Sequence, residues 1–195
     1  MVTSVSAASH GAVVLAAGAS TRLSRAKQLV EIDGEPLLRR VARCALATRP
    51  RECVVVLSEG GEHFETALEG LEVRVVRIAD AATGMSAALR AGIGALDAQC
   101  SGALVVVTDQ PALAESHLHA LCEKWRAAPQ RAAASAYAGV IGVPALLPRS
   151  WFADVAALHG DVGARDLLRS RAGVIAIAAP ALAHDIDVPG DMAGR

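Results

Sequence analysis

Short apolar runs alternate with stretches of helical periodicity along this chain, and that alternation limits the folds open to it. Residues 13–15, 53–57 and 103–107 offer no polar face, which predicts parallel strands covered on both sides. Residues 73–78 and 174–178 read as further strands. Between the first two runs, Asp33 and Gly34 make a turn, Pro36 stands where a helix can open, and Leu37, Leu38, Val41 and Ala45 recur at helical spacing. A short helical stretch to Leu68 precedes the third run. Met85, Leu89, Ile93 and Leu96, and later Leu118, Leu121, Cys122 and Trp125, form further helical stripes. Strand, helix, strand, helix, strand predicts parallel strands joined by crossovers. The expected architecture is a three-layer α/β fold with a mainly parallel central sheet and helices on both faces. At 195 residues and 53% hydrophobic content the chain suits a single domain spanning 1–195.

Composition narrows the function. Aromatic residues make up 3% of the chain and the net charge is −1, so stacking platforms are few and the overall charge gives no reason to expect nucleic acid or an anionic membrane as partner. Cys44, Cys53, Cys100 and Cys122 are scattered without a C-x-x-C pair and read as small buried thiols rather than a zinc site or disulfide framework. The first ten residues lack the basic and apolar segments of a signal peptide, and no run reaches transmembrane length, so a cytoplasmic location is expected. The first fifty residues carry seven Arg or Lys against three acids, a local excess suited to phosphate.

That excess gathers where the first apolar run ends. Ala16, Ala17, Gly18 and Ala19 are small enough for backbone N–H groups to approach a ligand, Ser20 and Thr21 add hydroxyls, and Arg22, Arg25 and Lys27 add positive charge. Such a combination at a strand end describes a polyphosphate site. It is not a Walker A loop, because Lys27 lies between Ala26 and Gln28, nor a dinucleotide fingerprint, because Gly18 has no partner glycine at the required spacing. The same residues also fit an ordinary strand-to-loop turn with solvated cations. Further on, residues 103–107 deliver Asp109 to a strand's carboxyl end, where open α/β sheets bind ligands. There Asp109 can hold Mg²⁺ through hard oxygen ligands or cap the following turn.

The pattern L-A-A-G-x-S-x-R-x-x-x-x-K, present as Leu15, Ala16, Ala17, Gly18, Ser20, Arg22 and Lys27, resembles the signature loop of the molybdenum cofactor cytidylyltransferases. Ser24 stands where that family often has glycine. G-M-S-x-x-L-R-x-G at Gly84, Met85, Ser86, Leu89, Arg90 and Gly92, D-Q-P at Asp109, L-x-G-D-x-G-A-R from Leu158 to Arg165, and D-I-D-x-P ending at Pro189 are similar to further blocks of the same family. The resemblance implies nucleotidyl transfer from CTP to the terminal phosphate of molybdenum-bearing molybdopterin, with Mg²⁺ held by Asp109 and Asp187. On this reading Arg22 and Lys27 bind the β- and γ-phosphates, the amides from Ala16 to Ser20 complete the cradle, and Gly84, Met85 and Ser86 help hold base and ribose. A molybdenum hydroxylase or its chaperone is an implied partner.

Taken without the resemblance, the segment after Gly84 is an amphipathic crossover helix with Met85 as core filler. Asp161 can cap the helix that begins near Gly163, with Arg165 paired to it. His117 and His119 read as surface residues, and the stretch around Gly139, Gly142 and Pro144 as a cover for the site. Transfer to a sugar phosphate or another alcohol phosphate would need the same first loop and carboxylates. A carrier of the finished cofactor would need neither a triphosphate clamp nor a metal.

Overall fold

The computed structural model describes residues 8–18, 27–79 and 84–183. Its centre is a seven-stranded sheet built from β1 (His10–Leu15), β4 (Cys53–Ser58), β5 (Arg74–Ile78), β6 (Gly102–Val107), β7 (Ala133–Tyr137), β8 (Val140–Pro148) and β9 (Ile175–Ala178), in the order β5-β4-β1-β6-β8-β7-β9. The strands β5, β4, β1 and β6 are mutually parallel. β8 alone runs the other way, antiparallel to both β6 and β7, and β9 is parallel to β7. The remaining two strands, β2 (Glu31–Ile32) and β3 (Glu35–Pro36), form a small hairpin whose turn residues Asp33 and Gly34 both take positive φ, at 55° and 78°. That turn type suits the twist of a tight hairpin.

Apolar runs without a polar face are explained by helices on both sides. Ala12 and Val14 of β1, Cys53, Val55 and Leu57 of β4, and Leu104 and Val106 of β6 point into one core. That core is closed by α1 (Leu37–Ala47), by α3 (Glu115–Ala127) and by the 3-10 turns of Glu62–Leu68. The alternate residues Val13, Val54, Val56, Ala103 and Val105 enter a second core under α2 (Met85–Gly94), α4 (Phe152–Ala156) and α5 (Ala164–Arg169). Each successive side chain of a strand changes face, so both must be apolar. Gly92 lets α2 lie close on the sheet: a Cβ there would overlap Val13 Cγ1 and sit 3.0 Å from Val56 Cγ2. All four cysteines are free and buried, as the sequence predicts. Among the described residues no helix is long and apolar enough to cross a membrane.

Two expectations change. The stretch expected to cover the site is instead β8, hydrogen-bonded between β6 and β7, with a cis Val143–Pro144 peptide. His117 is not a surface residue but half-buried, its Nε2 2.8 Å from Ser135 Oγ, whose own hydrogen goes to Pro144 O at 2.7 Å. That arrangement leaves the ring nitrogen as donor, and burial lowers its pKa. His119 is exposed, as expected.

Candidate active site

The site is assembled where β1 and β6 end side by side. Leu15 is level with Val107 in the parallel register, so the backbone leaving β1 at Ala16 lies beside Thr108 and Asp109. Here the chain leads from β1 to β4 on one side and to β6 on the other, the reversal of order that opens a crevice at strand carboxyl ends. A cleft of about 380 Å³ occupies that position, within the size range of small-molecule sites. Leu15, Ala17 and Gly18 wall it from the first loop, Lys27 and Gln28 from the turn that follows, Gly84, Met85 and Ala88 from α2, and Thr108 and Asp109 from β6. Residues far apart in sequence, Gly18, Lys27, Gly84, Met85 and Asp109, therefore share one cavity. Ala19, Ser20, Arg22 and Asp187 lie outside the described residues.

Within the first loop the backbone divides its polar groups. The Ala16 N–H donates to Val56 O at 2.9 Å, so the ladder retains that amide and the expected cradle can begin no earlier than Ala17. Its carbonyl accepts from Gln28 Nε2 at 2.8 Å, and the same nitrogen lies 3.1 Å from Gly18 O. Gln28 is 3% exposed. One buried amide thus gathers two carbonyls on the far side of the loop. Sequence reasoning passed over Gln28, because its partners lie ten and twelve residues back and are reached only once the loop has turned; its place immediately after Lys27 was the available signal.

The second wall depends on a contact no local pattern discloses. Gly84 takes φ 84°, and a Cβ there would collide with Gly160 O and come 2.7 Å from Asp161 Oδ1. Both facts require glycine. The Ser86 N–H donates to Gly160 O at 3.2 Å, and Arg90 Nη1 donates to Leu158 O at 3.0 Å. A Cβ on Gly163 would strike Met85 Sδ at 2.6 Å. The G-M-S and L-x-G-D-x-G-A-R blocks are therefore interlocked, and the interlock delivers Asp161 to the cleft. Asp161 does not cap α5; Asp166 does, by accepting the Gly163 N–H at 2.9 Å. Met85 is 53% exposed and lines the cleft rather than filling core. Ser86 is wholly buried just behind that wall, its hydroxyl without a partner among the described residues.

Chemically, the cleft combines a primary ammonium from Lys27, carboxylates from Asp109 and Asp161, loop backbone, and an apolar lining from Leu15, Ile78, Ala88 and Val107. Lys27 and Asp109 make further contacts within the protein. No group of three or more His, Cys, Asp or Glu that could hold a metal occurs among the described residues. A divalent ion here would rest on one or two carboxylates and on substrate oxygens, the usual arrangement for Mg²⁺ with phosphates.

The α/β sheet and this crevice define a nucleotidyltransferase fold. Rv0371c from Mycobacterium tuberculosis shares it with a TM-score of 0.84 and 27% identity over 95% of this chain and 96% of that one. A structure of Rv0371c in complex with manganese gives 0.78 and 26%, over 94% and 95%. Among curated proteins, the purine catabolism protein PucB of Bacillus subtilis is 29% identical over 168 residues, 81% of this chain and 80% of PucB. Residues 12–174 match the MobA-like NTP transferase domain. The chain belongs to that family and is a nucleotidyltransferase.

Proposed function

We propose that this protein, acting as a single cytoplasmic domain, transfers CMP from CTP to the terminal phosphate of molybdenum-bearing molybdopterin. An oxygen of the acceptor phosphate attacks the α-phosphorus, the bond to the bridging oxygen breaks, and pyrophosphate leaves with the electron pair. The observation that supports this reading is the single cleft shared by Ala17, Gly18, Lys27, Gly84, Met85 and Asp109, which are residues of the motifs that resemble the cytidylyltransferases.

Lys27 in this reading neutralises charge on the β- and γ-phosphates as the leaving group forms, acting as a point charge, with Arg22 assigned from sequence to the same anion through paired donors. Backbone from Ala17 to Ser20 binds the phosphates, and Gly84 and Met85 border base and ribose, while Ser86, expected as a contact, is buried behind them and holds the wall through Gly160 O. Asp109 fits a hard divalent cation by donor type and by its place in the cleft, with Asp187 assigned from sequence as its second carboxylate. When bound, Mg²⁺ supplies charge neutralisation and fixes the phosphate oxygens for in-line displacement. That Rv0371c forms a complex with manganese supports a divalent ion as part of this reading. A molybdenum hydroxylase or its chaperone is the proposed recipient of the product.

The test is incubation of the protein with Mg²⁺, labelled CTP and molybdenum cofactor. Pyrophosphate release together with a cytosine dinucleotide product is expected. Release only with a sugar phosphate as acceptor would overturn the choice of acceptor and retain nucleotidyl transfer.

A further inference from the structure

One side chain joins the first loop to the turn that follows it. Gln28 Nε2 donates to Ala16 O at 2.8 Å and to Gly18 O at 3.1 Å, so a single primary amide spends both of its hydrogens on loop carbonyls. Ala16 is thereby held twice, since Val56 O takes its N–H. Gln28 itself stands on a fixed base. It belongs to the 3-10 turn Lys27–Leu29, which the Val30 N–H closes on Lys27 O at 3.1 Å. Val30 O in turn accepts the Leu37 N–H at 2.8 Å, and Leu37, the first residue of α1, is wholly buried in the core. The turn is anchored to the helix, and the amide carries that anchorage back to the loop.

This arrangement bears on anion binding. Carbonyl oxygens repel phosphate, so a loop that serves a polyphosphate through its amides needs its carbonyls engaged elsewhere. Peptide units are planar and trans. Holding Ala16 O therefore also sets the direction of the Ala17 N–H, on the opposite edge of the same plane. Ala17, Gly18 and Lys27 all line the cleft, and Lys27 is the chain neighbour of Gln28. One buried amide, 3% exposed, fixes the loop backbone relative to the turn that carries the cleft's ammonium. No other residue type of similar size offers two hydrogens to two carbonyls without burying a charge.

We propose that Gln28 is a positioning residue for the polyphosphate: by holding the carbonyls of Ala16 and Gly18 it keeps the first loop in the form that accepts the phosphates of the nucleotide. It acts through the loop backbone and not on the reacting atoms. This rests on the nucleotidyl-transfer reading above and adds to it the residue that shapes the phosphate loop.

The probe is inorganic pyrophosphate with Mg²⁺, titrated by calorimetry; it carries no base, so it tests the loop independently of the choice of CTP. Gln28→Met removes both hydrogens at similar volume, and Gln28→Glu turns acceptors toward both carbonyls. Each should weaken pyrophosphate binding by about tenfold or more at a temperature where circular dichroism shows the variant folded. In turnover, KM for CTP should rise by a similar factor while KM for the acceptor stays within about twofold, a split that a general loss of structure would not produce. A second measurement needs no variant. If the bonds of Gln28 favour the binding form, bound pyrophosphate must favour those bonds in return, so the side-chain amide protons of Gln28 in the wild type should exchange with solvent severalfold more slowly once pyrophosphate is bound.

Equal pyrophosphate affinity in the wild type and the folded variants, absence of pyrophosphate binding by the wild type, unchanged exchange of the Gln28 amide, or an equal rise in both KM values would each overturn the assignment. If pyrophosphate binding depends on Gln28 yet no cytosine dinucleotide forms, the choice of substrates fails and the role of Gln28 stands. If the dinucleotide forms with a KM for CTP that Gln28→Met does not change, the role fails and the activity stands.

Discussion

The two ends of the sheet treat polar side chains in opposite ways. At the start of β1, His10 is 1% exposed, and its Nε2 lies 2.9 Å from Thr48 Oγ1, whose hydrogen goes to Ala45 O at 2.7 Å. Cys122 Sγ sits 3.7 Å from the same nitrogen, and the Trp125 ring meets the imidazole edge-on. Protein groups satisfy the imidazole there, with the Trp125 indole N–H as the exception. At the other end Asp161 faces a cleft, Arg165 makes no pair among the described residues, and Ser86 Oγ and Gln110 Oε1 are buried without partners. A polar group that protein leaves unmatched costs about 1–3 kcal/mol when buried. Among the described residues Ser86 Oγ and Gln110 Oε1 lie at the cleft end, while Trp125 Nε1 and, on α1, Arg40 Nε are also unmatched, so it is the open cleft with Asp161 and Lys27, not the unmatched atoms, that separates the ends.

The sharpest separation should come from Asp109→Asn. Loss of the carboxylate is expected to lower turnover about a hundredfold, roughly 3 kcal/mol of transition-state stabilisation. Stability should hold, with a melting temperature within about 2 °C of the wild type, since Asp109 lies at the rim of the cleft rather than in either core. Steady-state rates across a Mg²⁺ titration, beside a thermal melt, measure both. Near-normal Mg²⁺-dependent turnover would remove Asp109 from the proposed chemistry.

His10 should show the reverse, a stability effect with little change in activity. Burial lowers its pKa from 6.5 to about 4, with a further contribution from the charge of Arg126. Between those values the unfolded chain takes up a proton that the folded chain refuses, so stability rises with pH through this window. The contribution is complete above 6.5 and is lost as pH falls toward 4. At about 1.36 kcal/mol per pKa unit, it amounts to roughly 3 kcal/mol. Urea unfolding at pH 7.5 and 4.5 should therefore show a smaller pH dependence in His10→Gln than in the wild type. His117, whose pKa is also lowered by burial, acts in the same direction and remains in both proteins. An identical pH dependence would show that His10 is not the source of this loss of stability.

The difference between the two ends also marks what could be read from sequence. Strands with both faces buried announce themselves as unbroken apolar runs, and β4 and β6 fall within a residue of their expected bounds, whereas β1 begins three residues earlier than expected, at His10, because His10 and Gly11 break the apolar run. Direction was not legible, because the apolar residues of β8 would look the same in a parallel or an antiparallel strand. In the site, residues belonging to contiguous motifs, such as Gly18, Lys27 and Asp109, were legible. Asp161 was misread as a cap because its position depends on Gly160 meeting Gly84 and Ser86, a contact spanning more than seventy residues of chain. The bonds of Gln28 to Ala16 and Gly18, and of His117 to Ser135, likewise exist only after folding has brought the groups together.

The smallest effect concerns the choice of base. Related guanylyltransferases read L-A-G-G where this chain has L-A-A-G, and Ala17 is 4% exposed, packed in the α2-side core and bordering the cleft. On the proposed cytidylyl reading its methyl narrows the site against a larger purine, and CTP should be preferred to GTP. One methyl in an apolar pocket is worth only about 1–3 kcal/mol of discrimination, and the residues around Gly84 must share the work. Ala17→Gly alone should shift the ratio of kcat/KM values for CTP and GTP toward GTP by less than about tenfold, with a small loss of stability from the added backbone freedom. Exchange of both segments should approach reversal. Competition between equal CTP and GTP decides the matter: an unmodified protein that prefers GTP would remove the cytidylyl assignment while leaving membership of the MobA-like family untouched.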